Sequence, residues 1–138
     1  MEKIITYETL RRFAYSNDHL IKGEIKGIVL YFCGLGNVTI HDKDPGDAME
    51  LAQKGIVFVA PYCNPWAWMN KQAVSYTDEI LDVLFEKYNL PENTRVVSSG
   101  GSMGGQSALV YTKYAKRTPV ACILCVNECA LSAHAAAA

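Results

Sequence analysis

The most constraining stretch of the sequence is Arg95-Val96-Val97-Ser98-Ser99-Gly100-Gly101-Ser102-Met103-Gly104-Gly105. It reads as a short buried strand, a sharp turn carrying a serine, and a helix start. Within it, Gly100-Gly101-Ser102-Met103-Gly104 fits the pattern G-x-S-x-G. Two physical needs explain the glycines. The serine is expected in a strained, positive-φ turn, and strand and helix are expected to pass so closely that side chains at Gly100 and Gly104 would collide. Such a turn lifts the Ser102 hydroxyl above the sheet edge and aims the Met103 N–H at the place where an oxyanion forms. Glycine and serine are common in loops, so the pattern gains its force from the strand before it and the helix after it. The competing readings are a glycine-rich turn without chemistry, or one that cradles a phosphate at the helix N-terminus. Against the phosphate, no lysine follows the glycines as a Walker-type loop requires.

The chain around this stretch, at 138 residues, is long enough for one domain, residues 1–138, with a real core. Thirteen basic residues stand against fourteen acidic ones, so no field attracts nucleic acid or an anionic membrane. No apolar run approaches the ~18 residues of a membrane helix. The opening Met1-Glu2-Lys3-Ile4-Ile5-Thr6-Tyr7 lacks the charged-then-apolar plan of a signal peptide. The expected compartment is the cytoplasm. An odd number of cysteines, five, several in apolar strand-like runs, agrees with that.

In chain order, residues 3–7 and 11–15 read as two opening strands, with a turn at Asn17-Asp18-His19. His19 lies in that polar turn and reads as a solvated surface residue. Residues 27–33 form a continuous apolar run, the mark of a strand buried on both faces of a parallel sheet. The run ends in Cys33-Gly34-Leu35-Gly36-Asn37. A glycine pair there either points backbone N–H groups into a site, with Leu35 as the donor to an oxyanion, or simply turns the chain toward a helix. His41-Asp42-Lys43-Asp44 reads as a solvated loop. Asp44-Pro45 resembles a helix cap, the helix spans residues 47–54, and Gly55 ends it. Residues 55–61 are the next buried strand. The aromatic loop Pro61-Tyr62-Cys63-Asn64-Pro65-Trp66-Ala67-Trp68-Met69-Asn70 follows. Trp66 and Trp68 are expected either to wall a substrate pocket or to cover the core edge.

Residues 71–88 show the clearest helical periodicity, through Val74, Thr77, Leu81, Leu84, Phe85 and Tyr88. Asp78, Glu79, Asp82, Glu86 and Lys87 read as its solvated face, and Asn89-Leu90-Pro91 as its stop. A helix over residues 105–117 and a last buried strand over 119–126 complete the pattern. Cys122, Cys125 and Cys129 invite a metal reading, but odd spacing puts Cys122 and Cys125 on opposite faces of a strand. Buried structural thiols are the expectation, with no metal and no cofactor. The alanine-ended tail, 131–138, has no natural loop chemistry and reads as unassigned or artefactual.

These residues resemble the α/β-hydrolase superfamily, the serine hydrolases, and within it the prolyl-oligopeptidase-like and esterase branch. The resemblance rests on the β opening, Gly34-Leu35-Gly36 after the first buried strand, the loop at Pro65-Trp66-Ala67-Trp68-Met69-Asn70, and Gly100-Gly101-Ser102-Met103-Gly104-Gly105. It covers nearly all the chain to about residue 130. It implies an α/β fold, a mostly parallel sheet with flanking helices in three layers. By position, Ser102 resembles the nucleophile, Met103 one oxyanion donor and Leu35 the other. The family supplies acid and histidine on later loops, in the order serine, acid, histidine. This sequence stops after the strand that follows the elbow helix, so the expected fold is incomplete at its C-terminus. Glu128 and His134 follow Ser102 in the family's order, but only six positions separate them. The implied activity is cleavage of a small-molecule ester or a peptide or amide bond through an acyl-serine. The alternative is a non-catalytic hydrolase-like module that binds a ligand or forms a homo-oligomer through an exposed sheet edge.

Overall fold

Gly27–Phe32 and Ile56–Pro61, the uninterrupted apolar runs, lie side by side as parallel strands in the middle of a five-stranded sheet. The computed structural model describes residues 4–32, 44, 46–62, 71–101 and 103–125. The strands are β1 (Ala14–Ser16), β2 (Gly27–Phe32), β3 (Ile56–Pro61), β4 (Val96–Gly101) and β5 (Ala121–Cys125), in the order β1-β3-β2-β4-β5. The helices are α1 (Gly46–Gln53), α2 (Lys71–Lys87) and α3 (Met103–Tyr114). All strand pairs are parallel except β1 with β3, where Tyr15 opposes Ala60. In the parallel centre Leu30 pairs with both Val59 and Ser98, and Gly100 with Leu124.

Alternation along the central strands divides the core in two. Ile28, Leu30 and Phe32 of β2 and Val57 and Val59 of β3 face α2 and α3. Val29 and Tyr31 of β2 and Phe58 and Ala60 of β3 face α1. Helices thus cover both faces, which is why these strands carry no polar alternation. α2 buries Val74, Thr77, Ile80, Leu81, Leu84 and Phe85. Burying a side chain such as Leu81 or Leu84 contributes about 2 kcal/mol of transfer free energy. α2 ends where Asn89 takes φ 50 and the Leu90 N–H reaches back to the Phe85 carbonyl at 2.9 Å, a left-handed cap. After α1 the chain turns at Gly55, with φ +77 and the Glu24 carbonyl 2.8 Å from where a Cβ would sit.

The fold is the α/β architecture read from the sequence, with four local corrections. Ile4 to Tyr7 form no strand. The Thr9 hydroxyl donates to the Ile4 carbonyl at 2.8 Å and accepts from the Thr6 N–H at 2.9 Å, so backbone groups that would join a ladder are satisfied locally. Leu10–Arg12 form a 3₁₀ turn with Leu10 in the core, which leaves only Ala14–Ser16 as strand. α3 begins at Met103, directly after the turn, and ends at Tyr114. Finally, Asp78 and Asp82 are not a free solvated face. Asp78 accepts from the Tyr111 hydroxyl at 2.7 Å, and Asp82 pairs with Arg117 at 2.5 Å and Lys116 at 3.2 Å, tying α2 to the end of α3. Among the described residues no helix is long and apolar enough to cross a membrane.

Candidate functional site

β4 ends at Gly101 and α3 starts at Met103, so a single residue, Ser102, joins strand to helix. Backbone approach makes the junction this tight. A Cβ on Gly100 would lie 2.3 Å from the Gly104 carbonyl oxygen, 2.4 Å from its carbon and 2.9 Å from the Gly105 nitrogen. No side chain fits against immovable backbone at those distances. The collision expected between positions 100 and 104 is therefore present, and glycine is obligatory at 100.

The junction sits at the carboxyl ends of three parallel strands. Gly100 pairs with Phe32 of β2 on one side and Leu124 of β5 on the other, and Gly101 with Cys125. Phe32 is the last residue of β2, three positions before Leu35. In open α/β sheets ligands bind beyond these carboxyl ends. α3 supplies a helix N-terminus there, and no acidic residue in its own first turn offsets the partial positive charge.

Below the junction, polar side chains of β4 are buried and satisfied. The Ser99 hydroxyl donates to the Leu30 carbonyl at 2.7 Å. Ser98 lies 2.5 Å from the Thr112 hydroxyl, which itself donates to the Ala108 carbonyl at 2.7 Å. The Phe32 ring lies against Tyr111 with centroids 5.7 Å apart. Burial, then the hydrogen bond to Asp78, pushes the Tyr111 hydroxyl far above its usual range, so it stays a donor. Reading the sequence did not single out Ser98 or Thr112. The available signal was the four-residue spacing of Gly104, Ala108 and Thr112, small or hydroxyl residues on one stripe of a helix.

The backbone of Met103 is placed at the first position of α3, where a helical N–H has no intrahelical acceptor. Ser102, Leu35, Trp66, Trp68, Glu128 and His134 lie outside the described residues, as do His41, Cys33, Cys63, Cys129 and the tail at 131–138. His19 is exposed, as expected. Its ring contacts Arg11 at 2.6 Å and Asp44 at 3.0 Å. The Tyr15 hydroxyl, and then His19, hold the Asp44 carboxyl below its usual range. Asp44 is thus engaged by β1 and the turn after it. Cys122 is a half-buried free thiol against the main core. Among the described residues no cluster of histidine, cysteine or carboxylate has the makings of a metal site.

No protein-family model matches the chain, and no curated protein matches it. Solved structures do. A lipase in its open form is similar over 81% of this chain and 38% of its own, with TM-score 0.57 and 16% identity. A chain of the glycosylation-associated Gap123 complex from Streptococcus agalactiae is similar over 80% of this chain and 20% of its own, with TM-score 0.51 and 17% identity. The chain therefore spans well under half the length of either. At these identities the likeness is one of fold, and that fold is α/β-hydrolase-like.

Proposed function

We propose that this chain carries the nucleophile of a serine hydrolase that cleaves a carboxylic ester or a peptide or amide bond. The Ser102 hydroxyl attacks the carbonyl carbon, its proton passes through the base to the leaving alcohol or amine, and departure of that group from the tetrahedral adduct leaves an acyl-serine, which water hydrolyses to the acid and the free serine. The N–H groups of Met103 and Leu35 receive the oxyanion, each such donor lowering the barrier by about 3 kcal/mol. Glu128 and His134 follow Ser102 in the order of acid and base and are the candidates for those roles, with Trp66 and Trp68 the candidates for substrate binding. The observation that carries this reading is the 2.3 Å approach of a Gly100 Cβ position to the Gly104 carbonyl, at a one-residue strand-to-helix turn. Against a Walker-type phosphate loop, no lysine follows the glycines. The test is hydrolysis of p-nitrophenyl butyrate by the wild type and by Ser102→Ala. Turnover confined to the wild type supports the proposal, and turnover that survives in Ser102→Ala overturns it.

A second reading is favoured by β5, which pairs with β4 on one side and, among the described residues, with no strand on the other. On this reading the chain is a hydrolase-like module that self-associates through that edge. Sedimentation as a monomer at high concentration would contradict it.

A further inference from the structure

We infer that Ser98 and Thr112 are positioning residues for the turn at Ser102: their hydroxyls latch α3 to β4 and set the angle at which the helix leaves the strand. The inference rests on the nucleophile reading above, and neither residue reaches the reacting atoms.

Ser98 and Thr112 share a hydrogen bond at 2.5 Å in which either hydroxyl can donate; when Thr112 donates to the Ala108 carbonyl at 2.7 Å, its oxygen accepts from Ser98. A threonine bonding four residues back along its own helix is ordinary. Here that bond holds the hydroxyl still and presents its oxygen to the neighbouring strand. Ser98 is fully buried, so water does not compete for its proton. Its other acceptor within reach is the same Ala108 carbonyl, at 3.4 Å.

The latch belongs to the same seam as the glycine contact. Ser98 and Gly100 are two apart on one face of β4, and Gly104, Ala108 and Thr112 are four apart on one stripe of α3. The seam therefore has two attachment points. Near the turn, Gly100 and Gly104 touch backbone to backbone. Farther along, Ser98 and Thr112 are hydrogen-bonded. A rise of about 1.5 Å per residue places Thr112 about 13 Å along the helix from Met103. Without the latch α3 is held only at its first turn and pivots there, which re-aims the first-turn N–H groups relative to β4. Misplacing a positioned group by about 1 Å costs on the order of a hundredfold in rate.

The experiment uses the full chain with Thr112→Val, which keeps the shape and removes the hydroxyl, Thr112→Ser, which restores it, and Ser98→Ala. Two readouts are followed below the melting temperature of every variant: the rate of fluorophosphonate labelling at Ser102, and the amide resonances of Met103, Gly104 and Gly105. Thr112→Val and Ser98→Ala are expected to label about tenfold more slowly and to shift those amides, with Thr112→Ser close to wild type in both. If Ser98→Ala does not fold, the isosteric Thr112→Val decides. Wild-type labelling and unshifted amides in Thr112→Val, whatever its melting temperature, would overturn the inference and leave a merely stabilising bond. A wild type that never labels at Ser102 would overturn the nucleophile reading instead, and the amide shifts would still decide whether the latch positions the turn.

Discussion

At the β4–α3 junction two backbones meet because side chains are missing; around Asp18 three segments meet because a buried carboxylate collects donors. The Asp18 side chain is fully buried. It accepts from Ser16 at 2.5 Å, from Tyr7 at 2.7 Å and from Tyr88, with Arg11 at 3.5 Å. The N-terminal segment, the edge of β1 and the end of α2 are thereby joined. Beside it, buried Asn17 donates to the Ala48 carbonyl at 2.7 Å and accepts from the Phe58 N–H at 2.7 Å, fixing β1 to β3 and α1. The first region tolerates no added atom, and the second tolerates no missing partner. Steric exclusion suits a place where a turn must be held in one shape. Donor saturation suits an edge where irregular chain must be fastened to a sheet.

The largest effect is expected from Gly100→Ala. Its Cβ meets backbone rather than a flexible side chain, so α3 must move away from β4. A loss of about 4 kcal/mol or more in urea denaturation is expected. A variant of wild-type stability would show that the strand and helix do not touch. Next comes Asp18→Ala, which deprives a buried serine and two half-buried tyrosine hydroxyls of their carboxylate acceptor. About 3 kcal/mol of destabilisation is expected in the same assay, with Asp18→Asn costing less because its oxygen still accepts.

Acid sharpens the contrast, because only one of the two regions titrates. Burial opposes ionisation of Asp18, but the Ser16, Tyr88 and Tyr7 hydroxyls and Arg11 outweigh it and hold the carboxyl below its ordinary value. A depressed folded pKa stabilises the protein above the unfolded value of ~3.9, and that contribution is lost as pH falls through the folded value. Stability should therefore fall below about pH 4 with a steeper slope in wild type than in Asp18→Asn. Equal slopes would show that folding leaves the Asp18 carboxyl at its unfolded value. The smallest effect belongs to Lys116→Ala, whose ion pair with Asp82 is at the surface. A change within about 0.5 kcal/mol is expected.

The same contrast explains what the sequence made legible. A steric requirement leaves a local signature, because glycines are needed at fixed spacing within a few residues, and Gly100 and Gly104 were readable for that reason. The buried runs of β2 and β3 were readable because helices cover both faces. The Asp18 cluster was not, because the Tyr88 hydroxyl that completes it is 70 residues away. Nothing near Asp18 distinguishes a buried carboxylate from a turn residue. Ile4 to Tyr7 were misread for a related reason: apolar residues suggested a strand, while the threonine hydroxyls that hold the turn carry no periodic signal. Ser98 and Thr112 lay between these cases, on a legible stripe but joined across two elements.

The most direct test of the central claim is the intact mass of the purified protein before and after a fluorophosphonate probe, with peptide mapping of any adduct. A single adduct on Ser102, absent from Ser102→Ala, is the predicted result. No adduct, or one that persists in Ser102→Ala, would contradict it and leave the tight turn as an element of architecture alone.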